Sequence, residues 1–397
     1  MAAKPQQTAE RSSAKGSIFN DPKVRGVIYQ LLLVAGLVYF FWSIVQNASH
    51  NLEKQNIASG FGFLGNTAGF LPNQTLIDLS ATSTYGQALL AGLLNTLLIA
   101  VIGIFLATIV GFIMGVARLS NNWVISKLAT MYIEIVRNIP LLLQLFFWYF
   151  AVLRSLPHPK QSSSIFDTFF LNNRGLYMPR PVFEDGSGNI LLALVIAIVA
   201  SIGISIWAKR RQMATGQRFP AFLTSLGLII ILPLLAYLVS GMPISYDYAQ
   251  LKGFNFKGGM KVIPEFVGLL LALTIYTGAF IAEIVRAGIL AVNHGQTEAA
   301  HALGLRNGPT LRLVIIPQAM RVIIPPLTSQ YLNLTKNSSL AVAIAYPDIV
   351  SVGGTVLNQT GQAIEVIAVW MIVYLSISLI TSVLMNWYNR SIALVER

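Results

Sequence analysis

Cysteine is absent from this 397-residue chain, and charge is scarce. Without cysteine there is neither a disulfide nor a thiolate metal site, and the redox compartment leaves no mark. Only 11% of residues are charged, against about 25% in a soluble domain. Four scattered histidines (His50, His158, His294, His301) offer no zinc-like spacing. No Gly-x-x-x-x-Gly-Lys-Ser/Thr loop occurs. Gly253 and Gly258 stand at the right interval, but no Lys-Ser/Thr follows to hold phosphate and magnesium. Gly-x-Ser-x-Gly and His-Glu-x-x-His are missing too. No repeat of 20–50 residues marks a solenoid. A soluble enzyme, a metalloenzyme and a self-sufficient ATPase are all disfavoured.

What is there is apolar. Hydrophobic residues make up 55% of the chain and the mean hydropathy is +0.65. Eight apolar stretches approach the roughly 20 residues that cross a bilayer. They lie at about 27–45, 87–116, 128–153, 190–207, 221–240, 266–292, 331–352 and 365–387. The third contains Glu134, Arg137 and Pro140, and the seventh is blurred, with Lys336 early in it. The first is too long and too late for a cleaved signal, so a retained helix is expected.

The net charge of +12 would suggest nucleic acid on a soluble protein. On a membrane protein it reads as topology. With both termini cytoplasmic, 16 of the 27 basic residues fall inside and 8 outside, leaving Arg137, Arg286 and Lys336 at or near membrane depth. Lys209, Arg210 and Arg211 in one short loop are the strongest single sign of that orientation. No nucleic-acid partner is expected.

The stretch 295–317 carries the most specific pattern. A short helix beginning near Thr297 and Glu298, a turn at Gly304 and a second short helix ended by Pro317 make a compact knob. Such a knob fits a groove on a soluble partner; an ordinary surface loop is the other reading. Glu298-Ala299-Ala300, then Gly304, then Pro317 resemble the Glu-Ala-Ala loop of importer-type ABC transporter permeases. Val314 and Ile316 stand at the family's two apolar positions, a mild departure. The flanking segments 134–147, 281–289, 317–327 and 334–341 resemble the polar amino-acid subgroup, with the larger permease subunit of general L-amino-acid importers nearest. The resemblance spans about 87–153 and 265–392, roughly half the chain.

The resemblance implies an all-α polytopic membrane protein, a type-1 ABC importer permease core with an inserted helix pair. Its expected parts are a cytoplasmic tail (1–26), a first transmembrane helix with its external loop (27–86), core segments at 87–153 and 265–397, and inserted loops with the pair (154–264). The coupling loop lies at 293–325. The resemblance also implies a bacterial inner-membrane setting and a set of partners. These are a second permease subunit (a paralogue is expected), two cytoplasmic ATPase subunits, a periplasmic amino-acid-binding protein, the amino-acid substrate and membrane lipid. ATP is bound by partner subunits, so no cofactor is expected here. Coupling falls to Glu298, Ala299, Ala300, Gly304 and Pro317. A secondary transporter or channel is the rival, but it has no use for such a loop.

Candidate path residues each carry a second reading. Glu283 and Arg286, three apart on one helix, either neutralise one another or leave Glu283 to receive a substrate ammonium. Arg137, with Asn138 and Pro140, either binds a substrate carboxylate or pairs with Glu134 or snorkels to the cytoplasmic edge. Gln144 either lines the path or bonds a neighbouring helix. Lys336, Asn337 and Ser338 are expected to start the seventh span, as a polar gate or a solvated helix end. Gly111 and Gly115 form a Gly-x-x-x-Gly contact, a weak pointer to a subunit interface.

Overall fold

The computed structural model describes residues 22–54 and 59–392. Lys4, Arg11 and Lys15 of the expected tail, and Arg397, lie outside the described residues. The molecule is mostly helical, with, among the described residues, seven helices long and apolar enough to cross a membrane and a bent pair that makes an eighth if it counts as one span.

Helix α1 (Pro22–Lys54) is exposed along its length. Helix α2 (Tyr85–Arg118) starts at a capping box. The Gln87 N–H donates to Thr84 Oγ1 at 3.3 Å, and the Thr84 N–H donates to Gln87 Oε1 at 2.9 Å. Small residues recur three or four apart on its buried face: Gly92, Thr96, Ala100, Gly103, Ala107, Gly111 and Gly115. The last two lie against α7 (Pro264–Leu290) of the same chain. A Cβ on Gly111 would stand 2.5 Å from Ile281 Cβ, and one on Gly115 would stand 2.6 Å from the Ala282 carbonyl oxygen. The Gly-x-x-x-Gly pair is thus an internal contact, not a pointer to a subunit interface.

The third expected span is no straight rod. Helix α3 (Trp123–Asn138) and the segment from α4 (Leu141–Phe146) to Leu153 meet at an angle of 106°. Pro140 sits at the break, without the N–H that would continue the ladder. Residues Phe147–Leu153 are wound as a π-helix.

Helices α5 (Gly188–Thr215) and α6 (Ala221–Val239) form the inserted pair and pack chiefly on each other. Ala193, Ala197, Ser201 and Ala208 let the backbones approach, while α6 buries no residue fully. An apolar helix that buries no residue fully within the protein suits lipid.

Helix α7 is the axis of the core and packs on α2, α3 and α4. It leads into α8 (His294–Ala302) and α9 (Asn307–Thr310), then a π-turn, then α10 (Ile316–Asn337). This corrects the expected seventh span. Pro317 lies in the first turn of α10, where its missing donor costs nothing. It lies within the continuous span instead of ending the second short helix of the knob. Pro325 and Pro326 sit inside α10 without breaking it. The continuous span is Asn307–Ile344, so Lys336, Asn337 and Ser338 end that helix instead of starting one. A 3-10 turn (Ser338–Ile344) then leads to α11 (Ile349–Thr360) and α12 (Ala363–Ile392).

The start of α11 is pinned to α2. Asn95 Nδ2 donates to the Pro347 carbonyl at 2.9 Å, and the Ile349 N–H donates to Thr96 Oγ1 at 3.0 Å. The main core joins α2, α4, α7 and α10 through Ile99, Leu145, Leu273, Ile281, Ile323 and Leu334. A second core packs Phe63 and Leu89 on Ile349, Val352, Val356 and Val366.

The inserted loops fold into a small β cap, which the composition had marked only as ordered loops. Strands β1 (Ser163–Ile165), β2 (Phe169–Asn172) and β3 (Gly175–Met178) pair antiparallel in order, and β8 (Met260–Val262) closes on β3. A separate ladder joins β4 (Arg180–Phe183) to β5 (Ile244–Asp247), and a hairpin joins β6 (Gln250–Lys252) to β7 (Asn255–Lys257). Phe170, Tyr177, Ala249 and Phe256 form the cap's core. The cap and the α8–α9 knob stand at opposite ends of α7.

Candidate coupling and translocation site

The knob is built by local chemistry. Asn293, not Thr297, caps α8: its Oδ1 accepts the Gly295 N–H at 2.8 Å. Glu298 is exposed and pairs with His294 Nδ1 at 3.0 Å, one turn earlier. Ala299 is exposed and Ala300 buried, and the Ala300 carbonyl accepts the Leu305 N–H at 3.1 Å. That bond closes the turn through Gly304, whose φ of +80° is left-handed and favours glycine. Nothing lies within 4 Å of where a Cβ on Gly304 would be. Leu303 beside it is 83% exposed. Pro317 is exposed, and the buried positions of α10 begin two residues later at Ala319. Gln318 Nε2 ties α10 back to Gln296 Oε1 at 3.1 Å.

Above the knob sits a charge network. Arg118 Nη1 donates to Glu283 Oε2 at 2.5 Å, and Arg286 Nη2 and Nε donate to Glu283 Oε1 at 2.5 and 3.1 Å. Arg118 Nη2 also reaches Glu134 Oε1 at 3.2 Å. One carboxylate thus holds guanidinium groups from α2 and α7, and Arg118 ties in α3. The Glu283–Arg286 pair follows the neutralising arrangement. Arg118 was missed, counted only as a loop charge, since nothing in sequence brings position 118 to position 283.

Arg137 does not take the Glu134 pairing. Its guanidinium lies 5.1 Å from the centroid of the Phe280 ring, and among the described residues it makes no ion pair. Asn138 Nδ2 donates to the Glu134 carbonyl at 2.8 Å. Gln144 is buried and donates through Nε2 to the Val136 and Ile139 carbonyls at 2.8 and 2.9 Å. These are carbonyls that the break at Pro140 leaves without helical donors. Asn138, Pro140 and Gln144 therefore build the kink.

A polar cleft of about 260 Å³ lies between α7 and α10, lined by Tyr276, Thr277, Phe280, Gln330, Asn333 and Asn337. Of the expected path residues only Asn337 lines it, with Arg137 stacked on its wall at Phe280. Lys336 is exposed, and Ser338 is buried with its hydroxyl donating to the Thr335 carbonyl at 2.7 Å. Gln330 and Asn333 were missed, although 330, 333 and 337 fall on one helical face.

A bundle of apolar helices, a broken span, an amide-lined cleft and an exposed knob define a polytopic transport protein. The family described as "Binding-protein-dependent transport system inner membrane component" matches residues 210–394. The chain is 56% identical over 381 residues to the General L-amino acid transport system permease protein AapQ of Rhizobium johnstonii, covering 96% of this chain and 95% of that protein. It is 57% identical to the Putative amino-acid ABC transporter permease protein YhdX of Escherichia coli, covering 98% and 99%. It is 44% identical to the Glutamate/glutamine/aspartate/asparagine transport system permease protein BztB of Rhodobacter capsulatus, over the full length of both. The chain belongs to the amino-acid ABC transporter permease family.

Proposed function

We propose that this chain forms half of the translocation path of an ATP-driven amino-acid importer and couples to a separate ATPase through the α8–Gly304–α9 knob. The observation that carries the reading is Leu303: a large apolar side chain, 83% exposed, on an elbow with open space around it. Held in place by the Ala300 and His301 carbonyls, it is a preformed plug for a groove on another subunit. Burying a leucine contributes about 1.5–3 kcal/mol.

In this reading the knob and both termini face the cytoplasm of a bacterial inner membrane, and the cap faces outward. The partners are a second, paralogous permease subunit, two ATPase subunits that bind the ATP, and an external amino-acid-binding protein. Movement of the knob reaches the cleft through α7 and α10, which flank both. The amides of Gln330, Asn333 and Asn337 offer donors and acceptors to a zwitterion, and Arg137 stands nearest to meet its carboxylate. Glu283, already held by two guanidinium groups, acts as a clasp between helices; the ammonium role requires one of them to leave.

The test is Gly304→Asp. Uptake should be abolished while the protein still inserts and accumulates in the membrane, with Gly304→Asn, which adopts the left-handed conformation more readily, retaining part of it. Normal uptake by Gly304→Asp rejects the coupling assignment.

A further inference from the structure

The cap carries seven basic and four acidic residues across 154–187 and 241–263. In the proposed orientation that excess lies on the external side, against the positive-inside bias. Two of the cations gather in a groove of about 310 Å³ lined by His158, Lys160, Arg174 and Phe254. Lys160 Nζ lies 4.1 Å from the centroid of the Phe254 ring, and Arg174 Nη1 approaches the Phe254 carbonyl at 3.4 Å. Phe254 is itself 76% exposed at the tip of the β6–β7 hairpin.

Among the described residues neither Lys160 nor Arg174 makes an ion pair. No carboxylate lines the groove. The groove therefore presents two unneutralised cations around an exposed aromatic ring, on a scaffold stiffened by the Phe170–Phe256–Tyr177 ring contacts at 4.6 and 4.9 Å.

We propose that this groove docks carboxylate side chains on the surface of the external substrate-binding protein. The inference rests on the importer reading above. A free amino acid fits less well, because no carboxylate lines the groove to hold its ammonium. A lipid headgroup fits less well, because the apolar base of the cap is the β4–β5 ladder, where Phe183 and Ile244 meet Ile190 and Leu191 of the helix pair. The groove belongs to a different hairpin. Docking there is mechanically direct, since β8 runs into α7 and the segment before the cap ends the π-helix at Leu153.

The assay is ATPase stimulation of the intact complex in nanodiscs, titrated with its purified binding protein. Lys160→Glu/Arg174→Glu should raise the half-stimulating concentration by roughly tenfold or more, through weaker and slower encounter, with the maximal rate still reached at saturation. Wild type should lose affinity between low and high salt and the double variant should not. Lys160→Arg/Arg174→Lys should stay near wild type, as should Lys257→Glu, a charge reversal outside the groove. An unchanged half-stimulating concentration in the double variant overturns the docking site. So does an equal shift from Lys257→Glu, a shift that follows the anionic-lipid content of the nanodisc, or one seen only in the substrate requirement. A wild-type complex that no binding protein stimulates overturns the importer reading as well.

Discussion

Removing the Glu283 carboxylate separates a clasp from a substrate site. Glu283→Gln leaves Arg118 and Arg286 facing each other without the negative charge between them, each having bonded one carboxylate oxygen at 2.5 Å. The side chains of Arg118, Glu283 and Arg286 are 18%, 25% and 30% exposed, between a surface pair worth about 0–1 kcal/mol and a buried one whose breakage costs about 3–5. A loss of about 2 kcal/mol is expected, within the range of buried-pair disruption discounted for solvent. Arg118→Gln alone should cost a similar amount, and the double variant clearly less than the sum, giving a coupling of about 1–3 kcal/mol. Reversible unfolding in mixed micelles, titrated with denaturing detergent, measures all four corners of the cycle. The substrate concentration for half-maximal uptake should stay within about threefold of wild type, far from the tenfold that 1.4 kcal/mol of lost binding brings. Unchanged stability with a large rise in that concentration refutes the clasp and restores the ammonium site.

Three further outcomes follow from the geometry. Gln144→Leu removes the donor to the Val136 and Ile139 carbonyls and should destabilise the fold by about 1–3 kcal/mol, read in the same unfolding assay. No loss there means that water or lipid replaces the side chain. Asn333→Leu in the α7–α10 cleft should raise the half-maximal substrate concentration at least about tenfold, the cost of an unpaired polar group on the ligand, with membrane levels unchanged; ordinary uptake kinetics contradict the cleft as path. A reporter fused at Arg211 should respond from the cytoplasmic side, and an external signal breaks the proposed topology.

How much was legible in the sequence depended on whether the signal was local. Span number came from runs of apolar residues, and the α8–Gly304–α9 arrangement from a spacing held within a dozen residues. One proline misled. Pro317 read as a stop, because a proline's cost depends on its place in the helix and on whether neighbouring helices satisfy the freed carbonyls, and sequence does not show neighbours. That error shifted the seventh span and hid the amide face at Gln330, Asn333 and Asn337. Arg118 and Glu283 are 165 positions apart, so only the packing of α2 on α7 joins them. Gly111 and Gly115 announced a close helix contact without saying with which helix. The cap escaped because its strands are three or four residues long, too short for alternation to register.

The central claim is that the knob seats in an ATPase subunit, and the absence of cysteine makes a direct measurement possible. Leu303→Cys gives this chain a single thiol, on the exposed side chain at the elbow. In native membranes a short bifunctional thiol reagent should link it to an ATPase subunit, in a yield that changes when ATP is added. A thiol that forms no such link, and reacts with a membrane-impermeant maleimide from outside intact cells, contradicts both the coupling and the orientation.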